Sequence, residues 1–134
     1  PRCAFFDSYG IVIPNMTHKE KDMKRVLLYG MTGEKNCFMH VLLNAVQLHE
    51  GGAQVRVVFE GASVKLVKGL EDTQNPVYLK AKQAGLLTGI CLACSKTMGV
   101  YEDNLASGLP MLSDMSGHAG IKPYLDEGYA VVSI

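Results

Sequence analysis

Short apolar runs alternate with segments of helical periodicity, and this alternation constrains the fold of the chain more than any other feature. Residues 24–29 (KRVLLY) and 55–59 (VRVVF) are largely apolar, as is typical of strands buried in a parallel sheet. Residues 34–50 between them predict a helix that ends before Gly51 and Gly52. Its apolar face comprises Phe38, Val41, Leu42, Ala45 and Leu48. A strand, a helix and a second strand in this order predict a right-handed crossover between parallel strands.

The alternation continues to the end of the chain. Further strands are predicted over residues 89–93, 109–112 and 130–134. Further helices are predicted over residues 62–69, 76–84 with Asn75 as N-cap, 101–106, and part of 117–127 around Pro123. Pro110 indicates that the fourth strand lies at a sheet edge. The pattern as a whole predicts a parallel sheet with helices on both faces.

The charge balance excludes several classes of partner. The chain has 13 basic and 13 acidic residues, so no net charge steers it to nucleic acid or anionic lipid. No apolar run is long enough to span a bilayer. The four cysteines are too few for a secreted disulfide scaffold, and residues 1–22 lack the layout of a signal peptide. We therefore expect reduced thiols in the cytoplasm, and no nucleic-acid or membrane partner.

The pair Cys91 and Cys94 carries the strongest indication of chemistry. The strand predicted over residues 89–93 delivers Cys94 at its end, where a helical turn and Lys96 would lower the pKa of the thiol and favour the nucleophilic thiolate. Cys91, inside that strand, is close enough to form a disulfide with Cys94 or to resolve a modified Cys94. The alternative is that both cysteines are small buried hydrophobic residues.

A metal site is not expected from this pair. Structural zinc needs about four ligands, and His118 is the only plausible third ligand that the sequence offers. No other cofactor is expected either.

The loops that follow the strands are the remaining candidates, because parallel sheets carry their functional loops beyond the carboxyl ends of the strands. One of them is Glu60 with Gly61 after the second strand, for which the sequence indicates no specific role. The loop after the first strand contains Gly30, Met31, Thr32 and Gly33. With Thr32 as the helix N-cap, its backbone N–H groups can hold an anion, and the loop faintly resembles the phosphate loop of flavodoxins. A plain turn with a helix cap is the alternative, because Glu34 and Lys35 replace the small polar residues expected there.

The loop after the fourth strand combines hydroxyl groups with an imidazole. Ser113 can contribute to the same anion site, and Ser116 can cap the following helix. His118 can act as an acid, a base or a partner for a thiolate. A loop histidine in solvent is the alternative.

Several segments together resemble one family. They are residues 89–99 (GICLACSKTMG), 100–105 (VYEDNL) and 124–132 (YLDEGYAVV), with 24–30 and 55–61 as supporting segments. The sequence resembles the DsrE/DsrF-like family of small sulfur-relay proteins over roughly residues 23–134. The resemblance implies a single domain over 23–134, with residues 1–22 as an N-terminal extension of unknown role. It also implies a three-layer α/β/α sandwich with a five-stranded, mainly parallel sheet.

The same resemblance implies a function. Active members of the family carry sulfur as a persulfide on a cysteine at the position of Cys94, and they form trimers or hexamers. Cys91 is present in only some relatives, so its role does not follow from the family. We therefore expect a homo-oligomeric sulfur carrier or sulfurtransferase that passes sulfur from Cys94 to a partner thiol. The alternative is a non-enzymatic module that binds a nucleotide or a flavin-like anion and whose cysteines are structural.

Overall fold

The computed structural model describes residues 23–134, so the predicted extension over 1–22 lies outside the described residues. Five strands are formed: β1 (Arg25–Gly30), β2 (Gln54–Phe59), β3 (Leu87–Cys91), β4 (Met111–Leu112) and β5 (Ala130–Ser133). The helices are α1 (Lys35–Glu50), a 3₁₀ helix (Gly61–Leu66), α2 (Val67–Asp72), α3 (Pro76–Gln83), α4 (Leu92–Thr97), α5 (Tyr101–Ala106) and α6 (Lys122–Asp126). Within residues 23–134, no helix is both long and apolar enough to cross a membrane.

The strands form one sheet in the order β4-β3-β2-β1-β5, and every neighbouring pair is parallel. This arrangement confirms the predicted α/β sandwich with a five-stranded parallel sheet. The edge position predicted for the fourth strand from Pro110 is also confirmed, because within residues 23–134 β4 pairs with β3 alone.

The core forms where the apolar faces of the helices meet the sheet. Phe38 of α1 stacks on Phe59 of β2 with ring centroids 4.7 Å apart. Gly30 makes this possible, because a Cβ at that position would overlap the Phe38 ring. Fully buried residues beside these include Leu27, Val41, Leu42, Ala45, Val57, Val58, Val64, Val67, Tyr78 and Ile90. Burial of apolar side chains on both sides of the sheet is what stabilises a parallel sheet.

Two predicted helix starts are wrong. The N-cap of α1 is Glu34, whose side chain accepts a hydrogen bond from the Asn36 N–H; Thr32 instead accepts one from the Glu34 N–H. Ser116 does not cap α6, which begins six residues later at Lys122 without a side-chain cap. Ser116 lies in a turn with a φ of 50°.

The boundary between β3 and α4 also differs from the prediction. The strand covers Leu87–Cys91 rather than residues 89–93, and Cys94 lies in the first turn of α4. No glycine or proline separates the two elements, and Leu92 and Ala93 have high helix propensity. The apolar run therefore contains no signal that marks where the strand ends.

The register of the sheet determines which side chains meet at its carboxyl edge. Phe59 of β2 is paired with Ile90 of β3. The next residues along these two strands, Glu60 and Cys91, therefore emerge side by side. Cys91 is in turn paired with Leu112 of β4, which brings the loop after β4 to the same edge.

Candidate functional site

Four side chains converge at the carboxyl edge of the sheet: Glu60 after β2, Cys91 at the end of β3, Cys94 in α4 and His118 in the loop after β4. One donor atom from each lies within 4.8 Å of the donor atoms of the other three. We call these four residues the thiol cluster. The sequence predicted three of them as site residues; it placed Glu60 in a candidate loop but gave it no chemical role.

The two cysteines have different positions in the cluster. Cys91 is 0 % exposed and is the N-cap of α4, where its Sγ accepts a hydrogen bond from the Cys94 N–H at 3.4 Å. Cys94 is 8 % exposed. Both cysteines are therefore buried members of the core, as the alternative predicts, but their sulfur atoms also contact polar partners.

Glu60 is the most constrained member of the cluster. It is 5 % exposed, and its Oε1 accepts hydrogen bonds from the Cys94 thiol at 2.8 Å and from the Gly61 N–H at 3.0 Å. Its Oε2 accepts a hydrogen bond from the Ala119 N–H at 3.0 Å. Three donors therefore orient this carboxylate towards Cys94.

The electrostatics of the pair contradict the predicted thiolate at Cys94. Burial and the Glu60 carboxylate together raise the pKa of the Cys94 thiol to about 12. Burial also acts to raise the pKa of Glu60, but the hydrogen bonds from Cys94 and from the Gly61 N–H outweigh it and lower that pKa. The proton of the pair therefore resides on sulfur at neutral pH, and the carboxylate is ionised.

His118 lies against both sulfur atoms. Its Nδ1 is 3.4 Å from Cys91 Sγ, 3.4 Å from Cys94 Sγ and 3.4 Å from Glu60 Oε1. Its side chain is 44 % exposed, so it is the member of the cluster that solvent reaches. His118 therefore lies in a loop and is partly in solvent, as the alternative has it, and its imidazole also contacts both thiols, as the predicted role of a thiol partner requires.

The loop that carries His118 is held over the cluster by backbone hydrogen bonds. Met115 and His118 form a two-residue antiparallel bridge with N–O distances of 2.8 and 2.9 Å. The Ala93 N–H donates to the Gly117 carbonyl at 2.9 Å, which fastens the loop to the first turn of α4. The Tyr29 hydroxyl donates to the Ala119 carbonyl at 2.6 Å. These bonds fix the imidazole beside the sulfur atoms.

Lys96 does not take part in the cluster, contrary to the prediction. Its Nζ lies 5.1 Å from the centroid of the Tyr101 ring, in a cation–π contact on the surface of α4 and α5. The prediction assumed that Lys96 follows a strand end. Because Cys94 is in a helix instead, a residue two positions later points away from it.

The predicted anion loop, comprising Gly30, Met31, Thr32 and Gly33, is a neighbour of the cluster but not part of it. The N–H groups of Met31 and Thr32 both donate to the Ile134 carbonyl, at 2.6 and 3.1 Å. The Glu34 carboxylate occupies the N-terminus of α1, where an anion would otherwise bind. A Cβ on Gly33 would lie 2.8 Å from Ala62 Cβ, so close packing accounts for this glycine.

The two serines of the second predicted loop also lie outside the cluster. Ser113 and Ser116 are exposed, and the Ser113 carbonyl accepts a hydrogen bond from the Gly117 N–H at 3.2 Å. They belong to the turn that carries His118.

The thiol cluster offers four ligand atoms to a metal ion, whereas the sequence indicated only three. Two sulfurs, one imidazole nitrogen and one carboxylate oxygen are ligands that transition metals use. The premise that no fourth ligand exists is therefore wrong, because Glu60 provides it. Its position directly after a buried strand was a signal, but nothing in the sequence indicated that it faces Cys94.

Comparison with known proteins gives one relative that decides the family. The chain is 31 % identical over 96 residues to the uncharacterized protein MJ0733 of Methanocaldococcus jannaschii, which covers 72 % of the chain and 78 % of that protein. The chain belongs to the MJ0733 family. No family model matches the chain.

A solved structure supports the fold of this MJ0733 family member. The conserved protein of unknown function BT1422 from Bacteroides thetaiotaomicron superposes with a TM-score of 0.65 at 22 % identity, over 83 % of the chain and 95 % of BT1422. At this identity the likeness concerns the fold alone. Neither relative has a described function, and neither is described as a DsrE/DsrF-like protein, so that resemblance stays a prediction.

Proposed function

We propose that this protein is a sulfur carrier that accepts a sulfane sulfur on Cys94 and passes it to the thiol of a partner protein. One observation carries the proposal: the Cys94 thiol donates a hydrogen bond to a buried, oriented carboxylate, Glu60, at 2.8 Å. A nucleophile within hydrogen-bond reach of a base that a third group orients is the usual arrangement for covalent catalysis. Here the third group is the Ala119 N–H.

The loading step requires no oxidant or reductant. Cys94 Sγ attacks the outer sulfur of a donor persulfide R–S–SH, and Glu60 accepts the thiol proton as the new S–S bond forms. The S–S bond of the donor breaks, and the departing thiolate RS⁻ takes up a proton through His118, which lies 3.4 Å from Cys94 Sγ. The balance is R–S–SH + Cys94–SH → R–SH + Cys94–S–SH.

Transfer onward repeats the same exchange in the opposite direction. The thiolate of a partner R′–SH attacks the outer sulfur of Cys94–S–SH, which yields R′–S–SH and restores the Cys94 thiol. His118 lies on the exposed side of the thiol cluster, so the sulfur donor and the sulfur acceptor approach from that side. Cys91 stabilises the first turn of α4 by accepting the Cys94 N–H bond.

Cys91 also provides a second way to discharge the persulfide. Attack of the Cys91 thiolate on Cys94 Sγ forms a Cys91–Cys94 disulfide and releases hydrogen sulfide. A dithiol reductant must then reopen the disulfide, as a reducing cytoplasm provides. We therefore place the protein in that compartment as part of the same proposal.

Assembly into a homo-oligomer also belongs to the proposal. In the sheet formed by residues 23–134, β5 is an edge strand, and Val132 on it and Leu125 on α6 are large exposed hydrophobic side chains. Such side chains on a sheet edge favour association with a second copy. We expect light scattering at micromolar concentration to give a multiple of the chain mass, and a monomer mass would refute this part.

Intact-mass spectrometry tests the loading step. Chelator-treated protein is incubated with glutathione persulfide, and the mass of one added sulfur is measured before and after dithiothreitol. We expect one added sulfur on Cys94 of wild type and of the variant Cys37→Ser. Cys37→Ser serves as the control because Cys37 is exposed on α1. Peptide mapping locates the added sulfur, because the exposed thiol of Cys37 also exchanges with the donor. Cys94→Ser should lose the sulfur that wild type carries at residue 94, and Glu60→Gln should load that residue more slowly. Unchanged loading of Cys94→Ser, or none on wild type, would contradict the proposal.

A further inference from the structure

We propose that the thiol cluster binds a zinc-type divalent cation through Glu60 Oε1, Cys91 Sγ, Cys94 Sγ and His118 Nδ1. The proposal goes beyond sulfur transfer, because it assigns a second ligand to the same residues. It rests on the distances between the donor atoms, on their chemical types and on the bonds that orient them.

The distances agree with a tetrahedral site. Zinc binds sulfur at about 2.3 Å and nitrogen or oxygen at about 2.0–2.2 Å, so ligand atoms in a tetrahedron lie about 3.3–3.8 Å apart. The imidazole nitrogen is 3.4 Å from each sulfur and 3.4 Å from the carboxylate oxygen. The distance from Cys94 Sγ to Glu60 Oε1 is 2.8 Å, since a proton joins these two atoms. Replacement of that proton by an ion requires this pair to separate by about 0.7 Å. The two remaining distances, from Cys91 Sγ to Cys94 Sγ and to Glu60 Oε1, are within 4.8 Å.

The donor types select the class of ion. Two thiolates with one imidazole suit zinc, cobalt(II) and other borderline transition ions, whereas magnesium and calcium prefer sites built from oxygen alone. Two thiolates and a carboxylate supply three negative charges against two positive ones. The ion therefore offsets two of the three ligand charges and leaves a local charge of about −1.

The bonds around the donors hold them in place before an ion binds. Cys91 Sγ accepts the Cys94 N–H, and Glu60 Oε2 accepts the Ala119 N–H. The backbone of Glu60 is fixed as well, because its carbonyl accepts the Ser63 hydroxyl at 2.8 Å. Such contacts to ligand residues raise metal affinity by about ten- to a hundredfold. The exposed imidazole of His118 provides the entry path.

The ion and the sulfane sulfur exclude one another, because both occupy Cys94 Sγ. Zinc bound by all four residues neutralises the charge of the Cys94 thiolate, which lowers its nucleophilicity, and occupies the Glu60 oxygen that would accept the thiol proton. A cell that supplies zinc would hold the protein in a form that does not accept sulfur, and removal of zinc would release the thiol. The metal therefore regulates access to Cys94 if both proposals are correct.

Cobalt(II) chloride is the first probe, because its complexes with thiolates absorb strongly in the near ultraviolet. The full chain is reduced, treated with a chelator, exchanged into buffer and titrated with cobalt(II). We expect about one cobalt per chain, a thiolate-to-cobalt band, and visible bands of tetrahedral intensity. Zinc chloride should displace the cobalt, and X-ray absorption at the zinc edge should show two sulfur neighbours at about 2.3 Å.

Variants separate the cluster from other thiols and imidazoles. Cys91→Ser and Cys94→Ser should each weaken binding by more than about a hundredfold, and His118→Ala by a similar factor. Glu60→Gln should weaken it less, because water can complete the tetrahedron. Cys37→Ser and His40→Ala, both on α1, are the matched controls and should bind like wild type. Circular dichroism checks that each variant is folded.

The outcomes for the two proposals are distinguishable. A wild type that binds no stoichiometric cobalt, or a Cys91→Ser or Cys94→Ser variant that binds like wild type, overturns the metal site. Persulfide loading of the chelator-treated chain is measured separately, and its loss overturns the sulfur carrier while the metal result stands. Zinc-loaded wild type should resist loading, and equal loading with and without zinc would overturn the proposed exclusion.

Discussion

Alkylation of Cys94 should be slow in chelator-treated protein, although the sequence predicted a lowered pKa for a strand-end thiol near a lysine. Burial and the Glu60 carboxylate raise the pKa of this thiol to about 12, against about 8.5 for an ordinary thiol. At pH 7.5 the difference lowers the thiolate fraction by roughly three thousandfold. The more basic thiolate is intrinsically more nucleophilic, which recovers a factor of about 40. The alkylation rate should therefore be about a hundredfold below that of a small-molecule thiol, before steric protection is counted.

The assay is timed reaction with iodoacetamide followed by peptide mapping. Cys37 is the internal reference because it is exposed, and we expect it to be modified first. The rate at Cys94 should continue to rise with pH beyond 9 and show no plateau there, since its thiolate forms only as the pH approaches the raised pKa. Cys91 should also react slowly, because it is buried.

Glu60→Gln isolates the effect of the carboxylate. It removes the negative charge while an amide of similar shape remains, so the pKa of Cys94 should fall but burial should keep it above the ordinary value. A fall of about one to two units raises the alkylation rate at pH 7.5 by roughly three- to tenfold. The same variant should slow persulfide loading, because the base is lost. These opposite effects distinguish a general base from a group that merely blocks access.

Two results would refute this reasoning. Alkylation of Cys94 in wild type as fast as that of Cys37 would show that neither burial nor Glu60 holds the proton on sulfur. Equal alkylation rates in wild type and Glu60→Gln would show that the carboxylate does not control the thiol.

Three further predictions concern stability. Tyr78→Phe removes the hydroxyl that donates to Glu71 Oε1 at 2.6 Å and should lower the free energy of unfolding by about 1.5 kcal/mol in urea titrations; an unchanged midpoint would contradict it. Burial acts to raise the pKa of Glu71, but the bonds from Lys82 and Tyr78 outweigh it and lower that pKa. The stability from this network is therefore present above about pH 4.3 and lost as the pH falls through the lowered pKa, so Glu71→Gln should lose less stability on acidification than wild type. Gly89→Ala places a Cβ 2.6 Å from the Pro110 carbonyl and should reduce stability by about 1–3 kcal/mol in thermal unfolding by displacing β4; an unaltered midpoint would argue against that contact.

The local pattern of the sequence was sufficient for most of the elements. The α5 prediction, residues 101–106, agrees with Tyr101–Ala106, and Asn75 followed by a proline correctly marked the start of α3. These predictions succeed because capping residues, glycines and proline act within a few positions of the chain. The β3–α4 boundary was wrong because no such local signal separates the strand from the helix.

The candidate site shows the same division. The spacing of Cys91 and Cys94 was visible in the sequence, as was the imidazole of His118 in a loop beyond a strand end. The direction in which the pKa of Cys94 shifts was not visible in the sequence, because the shift depends on Glu60, which lies 34 positions earlier in the chain. Lys96, only two positions away, was expected to act on Cys94 and instead contacts Tyr101.

By itself the sequence determined that strands and helices alternate, that the sheet is parallel, and that a pair of thiols lies near the end of its third strand. Only the tertiary structure decided that a carboxylate from the neighbouring strand meets those thiols. The physical reason is register: Phe59 pairs with Ile90, which brings Glu60 beside Cys91, and no local propensity encodes that pairing. The charge next to Cys94, and with it the chemistry of the thiol, follows from the alignment of two strands.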